Sequence, residues 1–216
     1  MRNDAPFADR AAAGRELAGH LQQYAGLRDA IVLAIPRGGV PVGFEIAREL
    51  RLPLDVVLVR KLGVPGREEL AMGALATPDF CYVDRWLVER LRIRTEEIDA
   101  VVAREQRELL RRERAYRDDR PPPDVRDRIV ICVDDGLATG SSMRVAVAAL
   151  REKGPSKIVV AVPVAAAVVA AEMRGVADEV IVARLPENFR AVSLWYENFS
   201  QTTDDQVRAL LAKSFS

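Results

Sequence analysis

The sequence has little of several features that mark particular classes of protein. Its 216 residues include only two cysteines, Cys81 and Cys132, too few for the disulfide framework of a small secreted domain. Cys132 lies within an apolar run, where we expect a buried and inert thiol. The single histidine, His20, falls on a predicted helix and is expected at the surface.

Net charge and long apolar runs are also missing. Basic and acidic residues number 32 each, so no strong net field attracts nucleic acid or an anionic membrane, and we expect neither as a partner. The N-terminus is polar and charged and carries no secretion signal. The most apolar stretch, 158–171, is shorter than the ~20 residues of a membrane-spanning helix, and Pro163 interrupts it. We therefore expect a soluble cytoplasmic protein.

The chain does have a regular alternation of strand-like and helix-like segments, and its apolar content of 49% is enough for a full core. Short apolar runs predict strands, and the amphipathic segments between them predict helices. The strands are predicted at 31–35, 56–59, 129–133, 157–162 and 179–182, and the helices at 9–25, 42–50, 142–152 and 165–173. This alternation predicts an α/β fold with a doubly wound, mostly parallel sheet.

The middle of the chain departs from this alternation. Residues 61–69 contain two glycines and a proline and are interpreted as a loop, followed by antiparallel strands at 71–76 and 81–83. Residues 96–117 are rich in Glu, Arg, Leu and Ala and predict one long charged helix, which the prolines at 121–123 end. This helix suits a hood over the site or the surface of a homodimer, and a solvated helix has the same pattern.

The most informative segment is 129–142, Ile-Val-Ile-Cys-Val-Asp-Asp-Gly-Leu-Ala-Thr-Gly-Ser-Ser. An apolar strand ends in two acids, Asp134 and Asp135, and a short loop of small and hydroxyl residues then leads into a helix. Free backbone N–H groups at a helix start bind anions, whereas paired carboxylates suit sugar hydroxyls or a hydrated metal ion. The pattern therefore predicts a sugar phosphate site. An ordinary helix cap is the alternative, but a cap needs only one hydroxyl residue.

This segment resembles the phosphoribosyl pyrophosphate (PRPP) loop of the type I phosphoribosyltransferases: two acids after a strand, three variable residues, Thr-Gly, and then a hydroxyl residue. The resemblance extends from about Phe7 to Leu211, and the whole chain is similar to bacterial phosphoribosyltransferases of unassigned substrate. It implies that Asp134 and Asp135 hold the ribose hydroxyls, and that Mg²⁺ binds mainly through PRPP, with these two acids as possible ligands. The implied 5-phosphate cradle consists of Gly136, Leu137, Ala138, Thr139, Gly140, Ser141 and Ser142.

The same resemblance gives a role to the segment after the first strand, Pro36-Arg37-Gly38-Gly39. Alone it is an ordinary tight turn. In the family, a basic residue followed by glycines binds pyrophosphate here, which implies that role for Arg37, Gly38 and Gly39. A cis peptide bond is expected between Pro36 and Arg37.

Lys61 is the first candidate for a further pyrophosphate contact. The family closes a mobile loop over the reactants to exclude water, and the candidates for that loop are Arg60, Arg67, Glu68 and Glu69. The alternative is a basic strand end followed by a flexible surface loop. Because the Arg37, Lys61 and Asp134 segments all follow predicted strands, we expect them to meet at one edge of the sheet.

Aromatic residues cluster near the C-terminus of a chain that has few of them. In the family a variable hood grips the base, so Trp195, Tyr196 and Phe199 are candidates to stack on a flat heterocycle. The alternative is that they anchor the final segment to the core. Position 138 is alanine where enzymes for 6-oxopurines usually carry aspartate, which disfavours hypoxanthine and guanine.

The resemblance implies one phosphoribosyltransferase domain over 1–216, with a core at about 26–83 and 127–183, a helical insertion at about 84–120 and a hood at about 184–216. The implied reaction transfers the phosphoribosyl group from PRPP to a nitrogenous base, with Mg²⁺, and releases pyrophosphate in nucleotide salvage. One alternative is a regulatory protein that binds PRPP without catalysis, although no helix-turn-helix signature supports it. Another is a phosphate-ester hydrolase with Asp134 as nucleophile, which the Thr-Gly-Ser-Ser cradle disfavours.

Overall fold

The computed structural model describes residues 5–77, 79–117 and 120–214. In chain order the strands are β1 (Ala30–Ala34), β2 (Leu54–Val56), β3 (Val59–Val64), β4 (Arg67–Ala76), β5 (Phe80–Val83), β6 (Ile129–Val133), β7 (Lys157–Val164) and β8 (Glu179–Arg184). The α-helices are α1 (Arg10–Gly19), α2 (Gly39–Leu50), α3 (Arg85–Leu91), α4 (Thr95–Arg117), α5 (Ser141–Glu152), α6 (Ala167–Met173) and α7 (Asp204–Ser214). Short 3₁₀ turns occupy Gln22–Tyr24 and Val192–Trp195.

A five-stranded parallel sheet in the order β2-β1-β6-β7-β8 forms the centre of the molecule, which confirms the predicted fold class. Strands β1, β6 and β7 are apolar and almost wholly buried, as expected for parallel strands covered on both faces. Alternate side chains enter two different cores. Val32 and Ile131 pack with residues of α1, α2, α4 and α7, whereas Leu33 and Val130 pack with residues of α5 and α6.

The carboxyl ends of β1 and β6 lie side by side. Ala34 and Val133 are partners in the parallel register, and the Ile35 N–H donates to the Val133 carbonyl at 2.8 Å. The segments that follow these two strands, 36–39 and 134–140, therefore begin at the same edge of the sheet, where ligands bind in folds of this kind.

The interpretation of 61–69 as a loop is wrong, because these residues form most of a β-hairpin. Strands β3 and β4 pair antiparallel, and Pro65-Gly66 is the two-residue turn between them. Proline fixes φ at the first turn position, and Gly66 adopts φ +75 at the second, so these residues reverse a strand rather than interrupt regular structure. The predicted strand 56–59 is likewise divided between the end of β2 and the start of β3. The predicted pairing of β4 with β5 is confirmed.

The predicted long helix is confirmed as α4, and polar side chains tie it to neighbouring strands. Arg117 at its end is buried, and its guanidinium donates to the Asp55 carboxylate at 3.0 Å and to the Val56 carbonyl at 2.7 Å. The predicted first helix is shorter than expected, because α1 ends at Gly19. Within the described ranges, no helix is long and apolar enough to span a membrane.

Candidate functional site

Two adjacent carboxylates follow β6 and are partly buried. Burial and the neighbouring Asp135 charge raise the pKa of Asp134. Burial also raises the pKa of Asp135, although Arg10 acts against it: the Arg10 Nε donates to Asp135 Oδ2 at 2.9 Å. Burial thus opposes the charge of both carboxylates, whereas the Arg10 guanidinium supports the charge of Asp135.

The loop after the acids is held by its backbone. The Leu137 N–H donates to the Val164 carbonyl at 2.9 Å, and the buried Leu137 side chain anchors the loop in the core. Gly140 adopts φ +69 and precedes α5 without capping it through a side chain. Ser141, the first residue of α5, brings its hydroxyl within 2.9 Å of the Thr139 hydroxyl. The loop thus combines a helix start whose N-cap residue has no side chain with two hydroxyls, of which the Thr139 hydroxyl accepts from the Ser141 N–H at 3.4 Å. This chemistry is suited to phosphate.

The segment after β1 touches the acids directly. A Cβ atom on Gly38 would lie 2.0 Å from Asp135 Oδ2, and one on Gly39 would lie 2.7 Å from the Val133 carbonyl oxygen. Side chains at these positions would separate the two loops, so the glycines are needed for the contact. The peptide bond between Pro36 and Arg37 is cis, as predicted. The two loops therefore form one continuous edge with the acid pair between them.

The hairpin candidates have different surroundings. Arg60 donates to Glu105 of α4 through Nε at 2.8 Å, whereas Lys61 is exposed and makes no ion pair with another described residue. At the start of β4, Arg67, Glu68 and Glu69 are exposed. Strands β3 and β4 both approach α5, the helix that begins at the loop. A role for Lys61 at the site, and closure by the other four, stay predictions.

The aromatic cluster packs against the N-terminal segment. Tyr196 is buried, and the centre of its ring lies 5.5 Å from that of Phe7 and 5.1 Å from that of Phe199. Its hydroxyl donates to the Asp135 carbonyl at 2.6 Å. Trp195 is partly buried in the same cluster, and the Arg10 guanidinium lies 4.0 Å from the centre of the Phe199 ring. For Tyr196 these contacts favour anchoring over stacking on a base.

Three residues beside the site were not predicted from the sequence: Arg10, Tyr116 and Asp204. Asp204 lies 3.7 Å from Arg37, measured from Oδ1 to Nη1, and accepts a hydrogen bond from the Tyr116 hydroxyl at 2.5 Å. Arg10 and Asp135 are 125 positions apart in the sequence, and no local motif joins them. The one available signal was the pair of acids at 204–205 before an amphipathic segment, which is typical of a helix start.

Comparisons with known proteins identify the family of this chain. The family profile described as phosphoribosyl transferase domain matches residues 7–194. Two proteins from strains of Mycobacterium tuberculosis, provisionally named phosphoribosyl transferases, are each 42% identical over 208 residues, covering 96% of this chain and 47% of their own length. The chain thus spans about half the length of these curated relatives.

Solved structures show the same fold. A crystal structure of a Thermus thermophilus protein superimposes with a TM-score of 0.82 at 39% identity and covers 99% of both chains. An Aquifex aeolicus protein, 13% identical, superimposes with a TM-score of 0.51 over 84% of this chain and 76% of its own, and indicates the fold alone. With the domain profile covering most of its length, the chain belongs to the phosphoribosyltransferase family.

Proposed function

We propose that the protein binds PRPP and transfers its phosphoribosyl group to a nitrogenous base with release of pyrophosphate. The observation that carries this proposal is the direct contact between the Gly38-Gly39 segment and the Asp134-Asp135 pair. This contact sets an acid pair suited to ribose hydroxyls between two loops suited to anions. PRPP has the same order of groups, with a 5-phosphate on one side of the ribose and a diphosphate on the other.

The proposed roles follow from the chemistry of each group. Asp134 and Asp135 orient the ribose through its hydroxyls, and the start of α5 with Thr139 and Ser141 holds the 5-phosphate. Arg37 contacts the diphosphate, because a guanidinium presents several donors to phosphate oxygens. Catalysis then consists of positioning and of stabilising the charge that develops on the departing pyrophosphate, without a covalent nucleophile.

Mg²⁺ fits this donor set only with help from the ligand. In the parts of the chain that the structure describes, no cluster of three or more His, Cys, Asp or Glu side chains could hold a metal ion. Asp134 and Asp135 offer two carboxylates, and Mg²⁺ readily keeps waters and binds substrate phosphates for its other positions. When bound, the ion would neutralise charge on the diphosphate.

Thermal unfolding with PRPP and Mg²⁺ tests the proposal. A ligand that binds only the folded state at a hundredfold excess over its Kd adds about 2.7 kcal/mol of stability, so we expect a clear rise in Tm. The rise should vanish in Asp134→Asn/Asp135→Asn. It should persist in the matched control Asp124→Asn/Asp127→Asn, which changes two exposed acids before β6, at the opposite end of that strand. No shift in wild type at millimolar PRPP would refute the proposed ligand.

Product analysis separates transfer from the other activities. Pyrophosphate release that depends on an added base supports the transferase. One alternative is a PRPP-binding regulator without catalysis, which fits the burial of Tyr196, one of the three candidate base contacts. For that alternative a panel of bases should leave PRPP intact while the thermal shift remains. Release of inorganic phosphate would instead support a hydrolase.

A further inference from the structure

Arg37 has an acidic neighbour that the proposed reaction does not use. Its side chain is 32% exposed, and its Nη1 lies 3.7 Å from Asp204 Oδ1. Among the described residues, Asp204 is the one acid within 4.0 Å of this guanidinium, which makes no hydrogen bond to any of them. The donors of Arg37 are therefore available to a ligand, but a carboxylate already stands beside them.

Asp204 is held in this position by a buried residue. It is the first residue of α7, and its Oδ1 accepts a hydrogen bond from the Tyr116 hydroxyl at 2.5 Å. Tyr116 is 1% exposed on α4, and burial, with the hydrogen bond to Asp204, raises its pKa to about 12. The hydroxyl stays protonated at neutral pH and keeps donating. Because α7 packs against α2, α4 and β2, the carboxylate is fixed by the fold rather than by Arg37.

We propose that Asp204 is an internal anion that competes with the diphosphate group for Arg37 and so weakens the binding of pyrophosphate. This inference rests on the proposed function, because it takes Arg37 as a diphosphate contact. A carboxylate fixed beside the guanidinium offsets part of its charge and repels incoming phosphate oxygens. The competition weakens the binding of the diphosphate in PRPP as well as in the released pyrophosphate, so Asp204 lowers the affinity for substrate and favours the release of product. Asp204 is thus a residue that sets affinity and takes no part in the bond changes.

Calorimetric titration with inorganic pyrophosphate in a Mg²⁺ buffer tests this inference. The pair is partly exposed, and exposed pairs contribute about 0.2–1 kcal/mol, so we expect Asp204→Asn to bind pyrophosphate up to about fivefold more tightly than wild type. The matched control is Asp205→Asn, which removes the next acid in the same helical turn. Asp205 pairs with Arg208 instead of Arg37, so its substitution should leave the affinity unchanged.

Two further variants connect the effect to Arg37. Asp204→Ser keeps a side-chain oxygen for the Tyr116 hydroxyl and removes the charge, so it should also bind more tightly, even if the asparagine variant folds poorly. In an Arg37→Ala background, Asp204→Asn should change the affinity for pyrophosphate much less, because the guanidinium for which the two anions compete is absent.

The outcomes separate this inference from the proposed function. If wild type binds pyrophosphate and both Asp204 substitutions leave the affinity unchanged or weaken it, the inference is overturned and the proposed function still stands. An equal gain in the Arg37→Ala background also overturns it, since Asp204 would then act by general repulsion. If no variant binds millimolar pyrophosphate, the diphosphate site itself is refuted, and the inference falls with it.

Discussion

Two regions of the molecule are held together by different kinds of contact: the loops at the ends of β1 and β6, and the surroundings of α4. The first region consists of backbone, glycines and short side chains, and it works by close approach: Gly38 and Gly39 leave no room for a Cβ atom. The second consists of long charged side chains that join distant elements, such as Arg117 with Asp55 and Arg60 with Glu105. Close approach is encoded within a few consecutive residues, whereas each ionic contact needs two partners that the sequence keeps far apart.

The sharpest way to break the α4 region is Arg117→Met. The substitution leaves the Asp55 carboxylate buried without its cation, and breaking a buried pair costs about 3–5 kcal/mol, so we expect the free energy of unfolding to fall by that amount. Urea unfolding measures it. Arg114→Met on the same helix is the control, because Arg114 is exposed and should change stability little. A loss below about 1 kcal/mol for Arg117→Met would mean that the buried network does not hold α4.

A pair of glycine substitutions tests whether the loop region depends on close approach of the backbone. Gly39→Ala would put Cβ 2.7 Å from the Val133 carbonyl oxygen and 3.0 Å from the Asp134 Cα, so we expect a loss of about 1–3 kcal/mol from overpacking. The PRPP-induced rise in Tm should disappear with it. Gly19→Ala, at the end of α1, meets no atom within 4 Å and should stabilise the protein by about 0.5 kcal/mol. Equal effects at the two positions would contradict the close-approach account.

Glu105→Gln gives the smallest expected loss of stability and adds a dependence on pH. Burial alone would raise the pKa of Glu105, but hydrogen bonds from Arg60 and Arg104 outweigh it and lower the pKa below 4.5. The folded state therefore favours the carboxylate, which stabilises the protein above pH 4.5 and loses this contribution as the pH falls through the lowered value.

We accordingly expect Glu105→Gln to cost about 1 kcal/mol at pH 7 and progressively less below pH 4.5. Urea unfolding of both proteins between about pH 7 and about pH 3.5 measures the difference. A difference that does not change with pH would show that Glu105 contributes by packing rather than by charge.

The parallel sheet could be predicted because its central strands, β1, β6 and β7, are clear local patterns in the sequence. The runs at 31–35, 129–133 and 157–162 are apolar and bounded by turn residues, and the two acids with the Thr-Gly loop follow directly. The hairpin of β3 and β4 was missed because glycine and proline indicate a change of direction without saying how far regular structure continues on either side. Helix α7 lay within a segment assigned only to the hood.

The candidate site could be predicted only in its local parts. The loop residues 134–142 and the segment at 36–39 are contiguous motifs, and the structure brings them into contact. Arg10, Tyr116 and Asp204 reach the same place from helices elsewhere in the sequence, and nothing near them in the sequence identifies a partner. The role of the hood aromatics could not be predicted for a related reason. Whether an aromatic residue anchors the final segment or stacks on a base depends on its packing in the fold, as the hydrogen bond from the Tyr196 hydroxyl to the Asp135 carbonyl illustrates.

The position of Cys132 has a consequence for the chemistry that the protein tolerates. This residue is completely buried in β6, two positions before the acid pair, and burial, with the Asp134 charge, raises the pKa of its thiol. Oxidants and alkylating reagents attack the thiolate, and they need access to the sulfur. Reagents can reach the exposed Cys81 in the folded protein, but modification of Cys132 requires the central sheet to open. Oxidative damage beneath the acid pair therefore depends on how often the fold opens, and any ligand that stabilises the folded state would slow it.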